Sequence, residues 1–269
     1  MIDNSDPFPL ITIATVTYNA GHTLERTLHS VAAQTYPHIE HLFIDGCSQD
    51  NTMELIHLYV ERNSQQKVPH YIRMINEPDK GLYDAMNKAI TQAKGDYIVF
   101  LNAGDCLHES ETITKIIKSV PWEKYGRIHR PAILYGETDI VNEQGQFLRH
   151  RRLQAPEKLT WRSFLDGMLV CHQSFYVRTD LARQTDYRLR YRFSADYDWC
   201  IRLLKLATLR RLSIHNTHLI LTNYLNEGLT TRNHHKSLME RLHIMARHYG
   251  WTKALMQHAW FVLRAVIKK

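Results

Sequence analysis

The sequence lacks several features that would assign the chain to other classes of protein. Its four cysteines are widely spaced and form no C-x-x-C pair (Cys47, Cys106, Cys171 and Cys200). That spacing argues against a structural zinc site and favours a reduced, cytoplasmic setting. No stretch approaches the roughly 18 uninterrupted apolar residues that a membrane-spanning helix requires. The first ten residues, MIDNSDPFPL, contain no apolar signal-peptide segment, so we expect the protein not to be secreted.

The composition that is present is typical of a globular protein. The chain has 269 residues, of which 44% are hydrophobic and 23% charged, enough for one large domain or two small ones. Its formal net charge of +7 favours anionic partners: nucleic acid, nucleotide phosphates or an acidic membrane surface. Because no RNP-like, zinc-finger or helix-turn-helix pattern is present, we do not expect nucleic acid to be the partner.

Apolar runs and helical patterns alternate along the first hundred residues. Four β-rich runs, at residues 10–16, 41–44, 71–75 and 97–101, are separated by three helical patterns. The second helix is expected to bury five side chains (Met53, Leu55, Ile56, Leu58 and Val60), and the third carries one apolar stripe (Leu82, Ala85, Met86, Ala89, Ile90 and Ala93). Gly95 is predicted to end the third helix in a C′ position. This alternation predicts an α/β fold with a Rossmann-like, mostly parallel sheet flanked by helices.

Polar residues follow each predicted strand. They are Thr17 and Asn19, then Asp45 and Ser48, then Glu77, Asp79 and Lys80, and finally Asp105 in the turn at residues 102–105. Ligands of open α/β sheets bind outside the carboxyl ends of the strands, so these four turns predict a single site. For the acidic turn alone, the alternative is an ordinary solvated β-turn.

Beyond residue 105 the alternation loosens. A helix is predicted at 110–119, a strand at 132–141 with a hairpin return through 147–149, and a strand-like run at 169–177 that carries His172 and Gln173. A further helix opens at residues 194–199 with Asp196 and Asp198 in its first turn, where helix capping alone would explain them.

The last part of the chain is helical and basic. Residues 251–269 mix large apolar side chains with lysine and arginine. This mixture fits a helix in a membrane interface, and a helix packed on the domain's own core equally well. We therefore divide the chain into residues 1–105, residues 106–232, which complete the same domain, and residues 233–269, a helical extension.

Six segments together resemble the family 2 glycosyltransferases, inverting enzymes of the GT-A fold that use nucleotide-sugar donors. They are TVTYN (15–19), IDGCSQDNT (44–52), NEPDKGLYDAMNKA (76–89), FLNAGD (100–105), CHQSFY (171–176) and ADYDW (195–199). The resemblance is close over residues 10 to about 105 and looser to about 232. It implies a hexosyltransferase-type enzyme with a GT-A domain, in which residues 1–105 form the nucleotide-sugar-binding half and residues 106–232 the acceptor-binding half.

The resemblance also implies roles for individual residues. Nucleotide-sugar binding falls to Thr15, Asn19, Asp45, Asp79, Lys80, Gly81 and Asn102. Asp105 would coordinate a divalent metal, Mn²⁺ or Mg²⁺, whose requirement is open because Asn102 replaces the first acid of the family's D-x-D signature. Asp196 would be the general base, with Asp198 as the alternative. His172 and Gln173 would shape the acceptor side, or else form a buried structural pair.

These implied roles lead to an expected function. The donor would be a nucleotide-diphosphate sugar, and the acceptor a glycan or a polyprenyl-diphosphate-linked sugar in bacterial surface polysaccharide or lipid-linked oligosaccharide synthesis. The expected location is the cytoplasm, at the anionic inner face of the cytoplasmic membrane. Arg232, His234 and His235 would contact the diphosphate or complete the metal shell, or else be surface residues. The alternative, suggested by Asn102 and Ala195, is a nucleotide-sugar-binding protein without transferase activity.

Overall fold

The first hundred residues form the predicted alternation of strands and helices. The structure, a computed structural model, describes residues 8–125, 129–226 and 234–267. The first seven elements are β1 (Ile11–Thr17), α1 (Gly21–Ala32), β2 (Ile39–Asp45), α2 (Thr52–Ser64), β3 (Tyr71–Asn76), α3 (Leu82–Gln92) and β4 (Tyr97–Phe100). The four strands run parallel in the order β3-β2-β1-β4. Their carboxyl ends therefore meet at one edge of the sheet.

The strands β1 and β2 are buried along their whole length, although β1 contains polar side chains. The hydroxyl groups of Thr12 and Thr17 donate hydrogen bonds to the carboxylates of Glu40 and Asp45, respectively, on β2. A buried hydroxyl costs little once it is hydrogen-bonded. The polar residues of β1 therefore tie the two central strands together.

Two local predictions were wrong. Gly95 does not end α3 in a left-handed conformation, because its φ is not positive. The helix already ends at Gln92. Gly95 instead packs against β1, where a Cβ would lie 2.6 Å from the backbone nitrogen of Thr12. On α2, Leu58 and Val60 are each 39% exposed, because Ile56 and Tyr59 form the buried face.

The second half of the domain extends the same sheet with mixed strand directions. Its elements are β5 (Cys106–Leu107), α4 (Thr112–Ser119), β6 (Ile133–Val141), β7 (Phe147–His150), β8 (Phe175–Arg178), α5 (Thr179–Ala182), α6 (Ala195–Leu209) and β9 (Ile214–Leu225). The strand β8 runs antiparallel to both β4 and β6, and β6 runs parallel to β9. The predicted strand at 169–177 is shorter than expected, because His172–Ser174 form a 3-10 turn before β8. The α/β class with flanking helices is confirmed.

The last described residues are helical, as predicted, and form two helices. They are α7 (His234–Tyr249) and α8 (Trp251–Ile267), joined at Gly250, whose φ is +89°. Ile244 and Met245 of α7 and Ala254 of α8 belong to the main hydrophobic core. Within the described part of the chain, no helix combines the length and apolarity needed to cross a membrane.

Candidate active site

The loops after β1 and β2 are tied together by side-chain hydrogen bonds. The Asp45 carboxylate is fully buried and accepts hydrogen bonds from Thr17 Oγ1 at 2.7 Å, from Ser48 Oγ at 2.6 Å and from Ser48 N at 2.8 Å. Asn19 has a positive φ of 49°, and its Oδ1 accepts a hydrogen bond from Gln49 N at 2.8 Å. These bonds hold the backbone of both loops in a single conformation at the edge of the sheet.

The loop after β3 reaches the same place. Asp79 Oδ1 accepts a hydrogen bond from Gly81 N at 2.7 Å. A Cβ on Gly46 would lie 2.5 Å from Asp79 Oδ2, so glycine at 46 allows the two loops to meet. Gly81 has a φ of +113°, and the exposed Lys80 makes no side-chain hydrogen bond or ion pair with the described residues. We call residues 18–19, 45–49 and 79–81 the loop edge.

Two residues of this region differ from the sequence-based expectation. Thr15 does not line the loop edge: it is fully buried, and its Oγ1 lies 3.1 Å from His41 Nε2. Burial, together with the nearby His70, lowers the pKa of His41 to about 3. Tyr18 was missed, yet its ring is 67% exposed and borders Gly46. An aromatic residue between the polar residues of a turn was the sequence signal that could have identified it.

The acidic turn does not present its carboxylate to solvent. Asp105 is 3% exposed; its Oδ2 accepts a hydrogen bond from Gln173 Nε2 at 2.7 Å and its Oδ1 from Leu225 N at 3.0 Å. Burial raises the pKa of Asp105 to about 6 despite these hydrogen bonds. Asp105 therefore ties the turn to the 3-10 turn before β8 and to the end of β9.

These residues do not form a complete metal site by themselves. Counted from Asn102, the second acid of a D-x-D sequence would fall on Gly104, which has no side chain, and both oxygens of Asp105 are already hydrogen-bonded. Among the described residues, no three His, Cys, Asp or Glu side chains come together as a metal-binding group. The prediction of a metal on Asp105 gains no support from this geometry.

His172 and Gln173 are both buried rather than exposed on an acceptor surface. Gln173 holds Asp105, and its Oε1 accepts a hydrogen bond from Cys171 Sγ at 2.7 Å. His172 lies between Asn102 and Asp196. Its Nε2 is 3.3 Å from Asn102 Nδ2, and its Nδ1 is 3.3 Å from Asp196 Oδ2. We call Asn102, Asp105, His172, Gln173 and Asp196 the carboxylate cluster.

The two aspartates of α6 have different surroundings. Asp196 is partly open, with its side chain 17% exposed, and its Oδ1 accepts a hydrogen bond from Tyr83 Oη at 3.2 Å. Burial raises the pKa of Asp196, but the hydrogen bond from His172 and the charges of His172 and Arg241 outweigh burial, so the pKa lies below its usual range. Asp196 therefore remains an accessible carboxylate.

Asp198, in the same first turn of α6, is fully buried among basic side chains. It lies 2.7 Å from Arg202 Nε, 2.8 Å from His248 Nε2 and 3.4 Å from Arg188 Nη1. Burial raises the pKa of Asp198, but His248 and the two arginines outweigh burial and lower it. Since His248 belongs to α7, Asp198 anchors that helix on α6 and is not available as a base. Arg232 and the side chains of His234 and His235 lie outside the described residues.

The chain is similar to known proteins in sequence and in fold. The family model described as "Glycosyl transferase family 2" matches residues 12–182. The chain is 28% identical over 243 residues to the "PGL/p-HBAD biosynthesis glycosyltransferase" of Mycobacterium bovis (strain BCG / Pasteur 1173P2), covering 89% of this chain and 86% of the relative. It is 36% identical over 98 residues, 36% of each chain, to TuaG of Bacillus subtilis (strain 168), whose name assigns it to teichuronic acid biosynthesis.

A solved structure shows the same fold. Residues 1–349 of S. aureus TarS in complex with UDP superpose with a TM-score of 0.62 and 16% sequence identity, covering 94% of this chain and 70% of that one. At this identity the likeness concerns the fold alone. It agrees with the α/β sheet described above.

Proposed function

The chain belongs to glycosyl transferase family 2, and from that premise we propose that it transfers a hexosyl group, with inversion, from a nucleotide-diphosphate sugar to an acceptor hydroxyl. The observation that carries the proposal is the contact between Tyr83 and Asp196. Tyr83 follows Gly81 of the loop edge by only two residues, so this hydrogen bond joins the loop edge to an accessible carboxylate. A donor held at the loop edge would thus lie beside a base.

The chemistry needs such a base. An acceptor hydroxyl is a poor nucleophile until a carboxylate takes its proton, and general-base catalysis contributes about 10²–10⁴-fold to the rate. In a single displacement the hydroxyl attacks the anomeric carbon from the face opposite the diphosphate, which inverts that carbon. Asp196 is the base in this proposal, because Asp198 is fully buried against Arg202 and His248.

The loop edge is proposed to bind the nucleotide. The exposed ring of Tyr18 offers a flat surface on which a base can stack. Asp79 and the ordered loop around Asp45 would contribute polar contacts, and Lys80 carries an exposed ammonium group suited to a diphosphate. In this division residues 1–105 bind the donor and residues 106–232 the acceptor.

A divalent metal, Mn²⁺ or Mg²⁺, is proposed only as a partner of the bound donor. Such a cation would supply Lewis-acid stabilisation of the leaving diphosphate. Mg²⁺ is commonly held by few protein groups together with substrate phosphates. Thermal-shift measurements with UDP-, GDP- and dTDP-sugars, each with and without Mn²⁺, test donor and metal together. A donor-induced shift that Mn²⁺ leaves unchanged would contradict the metal proposal.

Replacing Asp196 tests the catalytic proposal. Asp196→Asn should lower turnover by about 10²–10⁴-fold while nucleotide binding, measured by calorimetry, is retained. Asp198→Asn, in the same helical turn, is the matched control and should keep turnover per folded molecule within a few-fold. Full turnover in Asp196→Asn would overturn the assignment, and no turnover in the unmodified protein with any donor would favour the binding-only alternative.

The acceptor is proposed to be a glycan or polyprenyl-diphosphate-linked sugar at the inner face of the cytoplasmic membrane. Residues 234–269 contain seven lysine and arginine residues against one acid, Glu240, a net charge of +6 out of the chain's +7. Four large apolar side chains of α8 are at least half exposed (Trp251 55%, Leu255 53%, Met256 69% and Trp260 50%). Exposed aromatic and aliphatic groups beside cations suit an anionic bilayer surface.

Vesicle binding tests the membrane proposal in the full chain. Replacing Trp251, Leu255 and Trp260 by serine should reduce sedimentation with phosphatidylglycerol vesicles by at least tenfold. Leu209→Ser is the matched control, because Leu209 is 81% exposed but lies outside α7 and α8. Unchanged sedimentation of the triple variant would contradict the proposal, and so would equal binding to neutral phosphatidylcholine vesicles.

A further inference from the structure

The helix α7 places a carboxylate against the loop that leads into α6. Glu240 Oε1 accepts a hydrogen bond from Arg192 N at 2.8 Å. Its Oε2 accepts two more, from Phe193 N at 2.8 Å and from Ser194 N at 3.0 Å. Hydrogen bonds from backbone amides to a carboxylate are stronger than those between neutral groups. A single side chain of α7 therefore holds three consecutive amides of a distant loop.

A second contact joins the same loop to α7. Ser194 is the residue just before α6, and its side chain makes no capping hydrogen bond to that helix. A serine in this position usually bonds to an amide of its own helix. Here its hydroxyl is fully buried and lies 2.9 Å from the hydroxyl of Ser237 on α7. The entry to α6 is thus fixed by α7 rather than by a local cap.

The loop matters because Asp196 follows it directly. Asp196 is the second residue of α6, two positions after Ser194. The body of the helix is held by the core, where Trp199, Leu203 and Leu204 are fully buried. A general base must lie within hydrogen-bond reach of the proton that it takes, and a misplacement of about 1 Å can cost about 100-fold in rate. The loop at the start of α6 is therefore where a small shift would change catalysis.

We propose that Glu240 is a positioning residue of the active site, which fixes residues 192–194 and through them the carboxylate of Asp196. The inference rests on the proposed function in one respect, namely that Asp196 is the base. Glu240 does not touch the reacting atoms in this account. It also lies outside residues 12–182, which the family model matches. The helix α7 is then a part of the active site and not only the attachment of α8.

Two substitutions at position 240 grade the contact. Glu240→Ala removes all three hydrogen bonds. Glu240→Gln keeps an oxygen for Phe193 and Ser194, but its NH₂ group cannot accept the hydrogen of Arg192 N. We expect kcat to fall about 10–100-fold in the alanine variant and about threefold in the glutamine variant. Turnover is measured as release of the nucleoside diphosphate from UDP-, GDP- or dTDP-sugars. The Kd for UDP or GDP, measured by calorimetry, should not change.

His248→Ala is the matched control on the same helix. His248 lies about two turns further along α7 and contacts Asp198, at 2.8 Å, instead of residues 192–194. Its loss weakens the attachment of α7 to α6 but leaves the loop in place, so kcat per folded molecule should stay within threefold. Equal losses of kcat in His248→Ala and Glu240→Ala would overturn the proposal, because α7 would then act only as a structural support. An unchanged kcat in Glu240→Ala would also overturn it.

Amide hydrogen exchange, followed by ¹H–¹⁵N NMR, tests the contact without activity. Relative to the unmodified protein, exchange should be faster at all three amides of residues 192–194 in Glu240→Ala, faster at Arg192 alone in Glu240→Gln, and unchanged in His248→Ala. Unchanged exchange in Glu240→Ala would overturn the proposal. If Asp196→Asn keeps full turnover, the assigned base is wrong. If Asp196→Asn loses turnover but Glu240→Ala keeps it, only the present inference fails.

Discussion

The loop edge and the carboxylate cluster both contain buried or half-buried acids, but these acids find their partners in different ways. At the loop edge, Asp45 and Asp79 bond to donors three and two residues away, Ser48 and Gly81, and Asp45 also accepts a hydrogen bond from Thr17 on the neighbouring strand β1. In the carboxylate cluster, Asp105 bonds to Gln173 and Leu225, 68 and 120 residues away. The loop edge combines local turns with contacts between the adjacent strands β1 and β2, whereas the bonds of the Asp105 carboxylate all come from the second half of the domain.

This difference separates two uses of a carboxylate. In a local turn the carboxylate is hydrogen-bonded to the backbone that it orders. The exposed neighbours, such as Tyr18 and Lys80, are then the side chains available to contact a ligand. A carboxylate held by distant side chains takes its properties from them, which is why Asp196 and Asp198 differ although they lie in the same helical turn. The contrast can be tested by changing one acid or one neighbour at a time.

The largest effect is expected where distant partners are charged. Asp198→Ala leaves Arg202 and His248, whose side chains are 14% and 7% exposed, without their counter-charge and should lower the free energy of unfolding by about 3 kcal/mol. Denaturant unfolding measures this loss. Asp180→Ala is the control, since the Asp180 side chain is half exposed and its ion pair with Arg178 should contribute no more than about 1 kcal/mol. Equal losses would contradict the contrast.

The next effect concerns pH beneath the loop edge. Burial lowers the pKa of His41 to about 3, so below pH 6.5 the unfolded chain takes up a proton that the folded chain does not. Stability should therefore fall as the pH drops from 6.5 towards 3, by about 2 kcal/mol at pH 5 from this group. His41→Gln should remove that part of the difference between pH 7.5 and pH 5, whereas the exposed His29→Gln should not.

The carboxylate cluster should respond to pH in the opposite direction. Burial raises the pKa of Asp105 to about 6, so between pH 4 and 6 the folded chain binds the extra proton, and the contribution of this group to stability falls as the pH rises. Relative to Asp105→Asn, the unmodified protein should gain about 1 kcal/mol on going from pH 7.5 to 5. Unfolding at both pH values measures the gain; a loss in that comparison would show that Asp105 is ionised by a nearby cation.

The smallest effect is expected at the contact between two local loops. A Cβ on Gly46 would lie 2.5 Å from Asp79 Oδ2, the end of a side chain that can rotate away. Gly46→Ala should therefore weaken nucleotide binding only about threefold, close to 0.7 kcal/mol. Calorimetry with UDP or GDP measures the change. Gly250→Ala, far along the chain at the α7–α8 turn, should leave the affinity unchanged.

Much of the fold was predictable because it depends on local patterns. The order of strands and helices in the first hundred residues follows from hydrophobic periodicity. The C-terminal region was predicted to be helical from its composition, but its division into two helices at Gly250 was not. The errors arose where a distant element intervened. Glycine is needed at position 95 because the backbone of β1 lies too close for a side chain. Within the predicted strand at 169–177, residues 172–174 form a 3-10 turn instead, which places Gln173 against Asp105.

The candidate site divides along the same line. The sequence by itself determined which turns carry polar residues and that they meet at one edge, because parallel strands place their carboxyl ends together. Only the tertiary structure decided that Thr15 is buried, that Asp198 is paired and Asp196 open, and that Asp105 is held by Leu225. A carboxylate's exposure and proton affinity depend on side chains that the fold brings from elsewhere, and no local pattern encodes them.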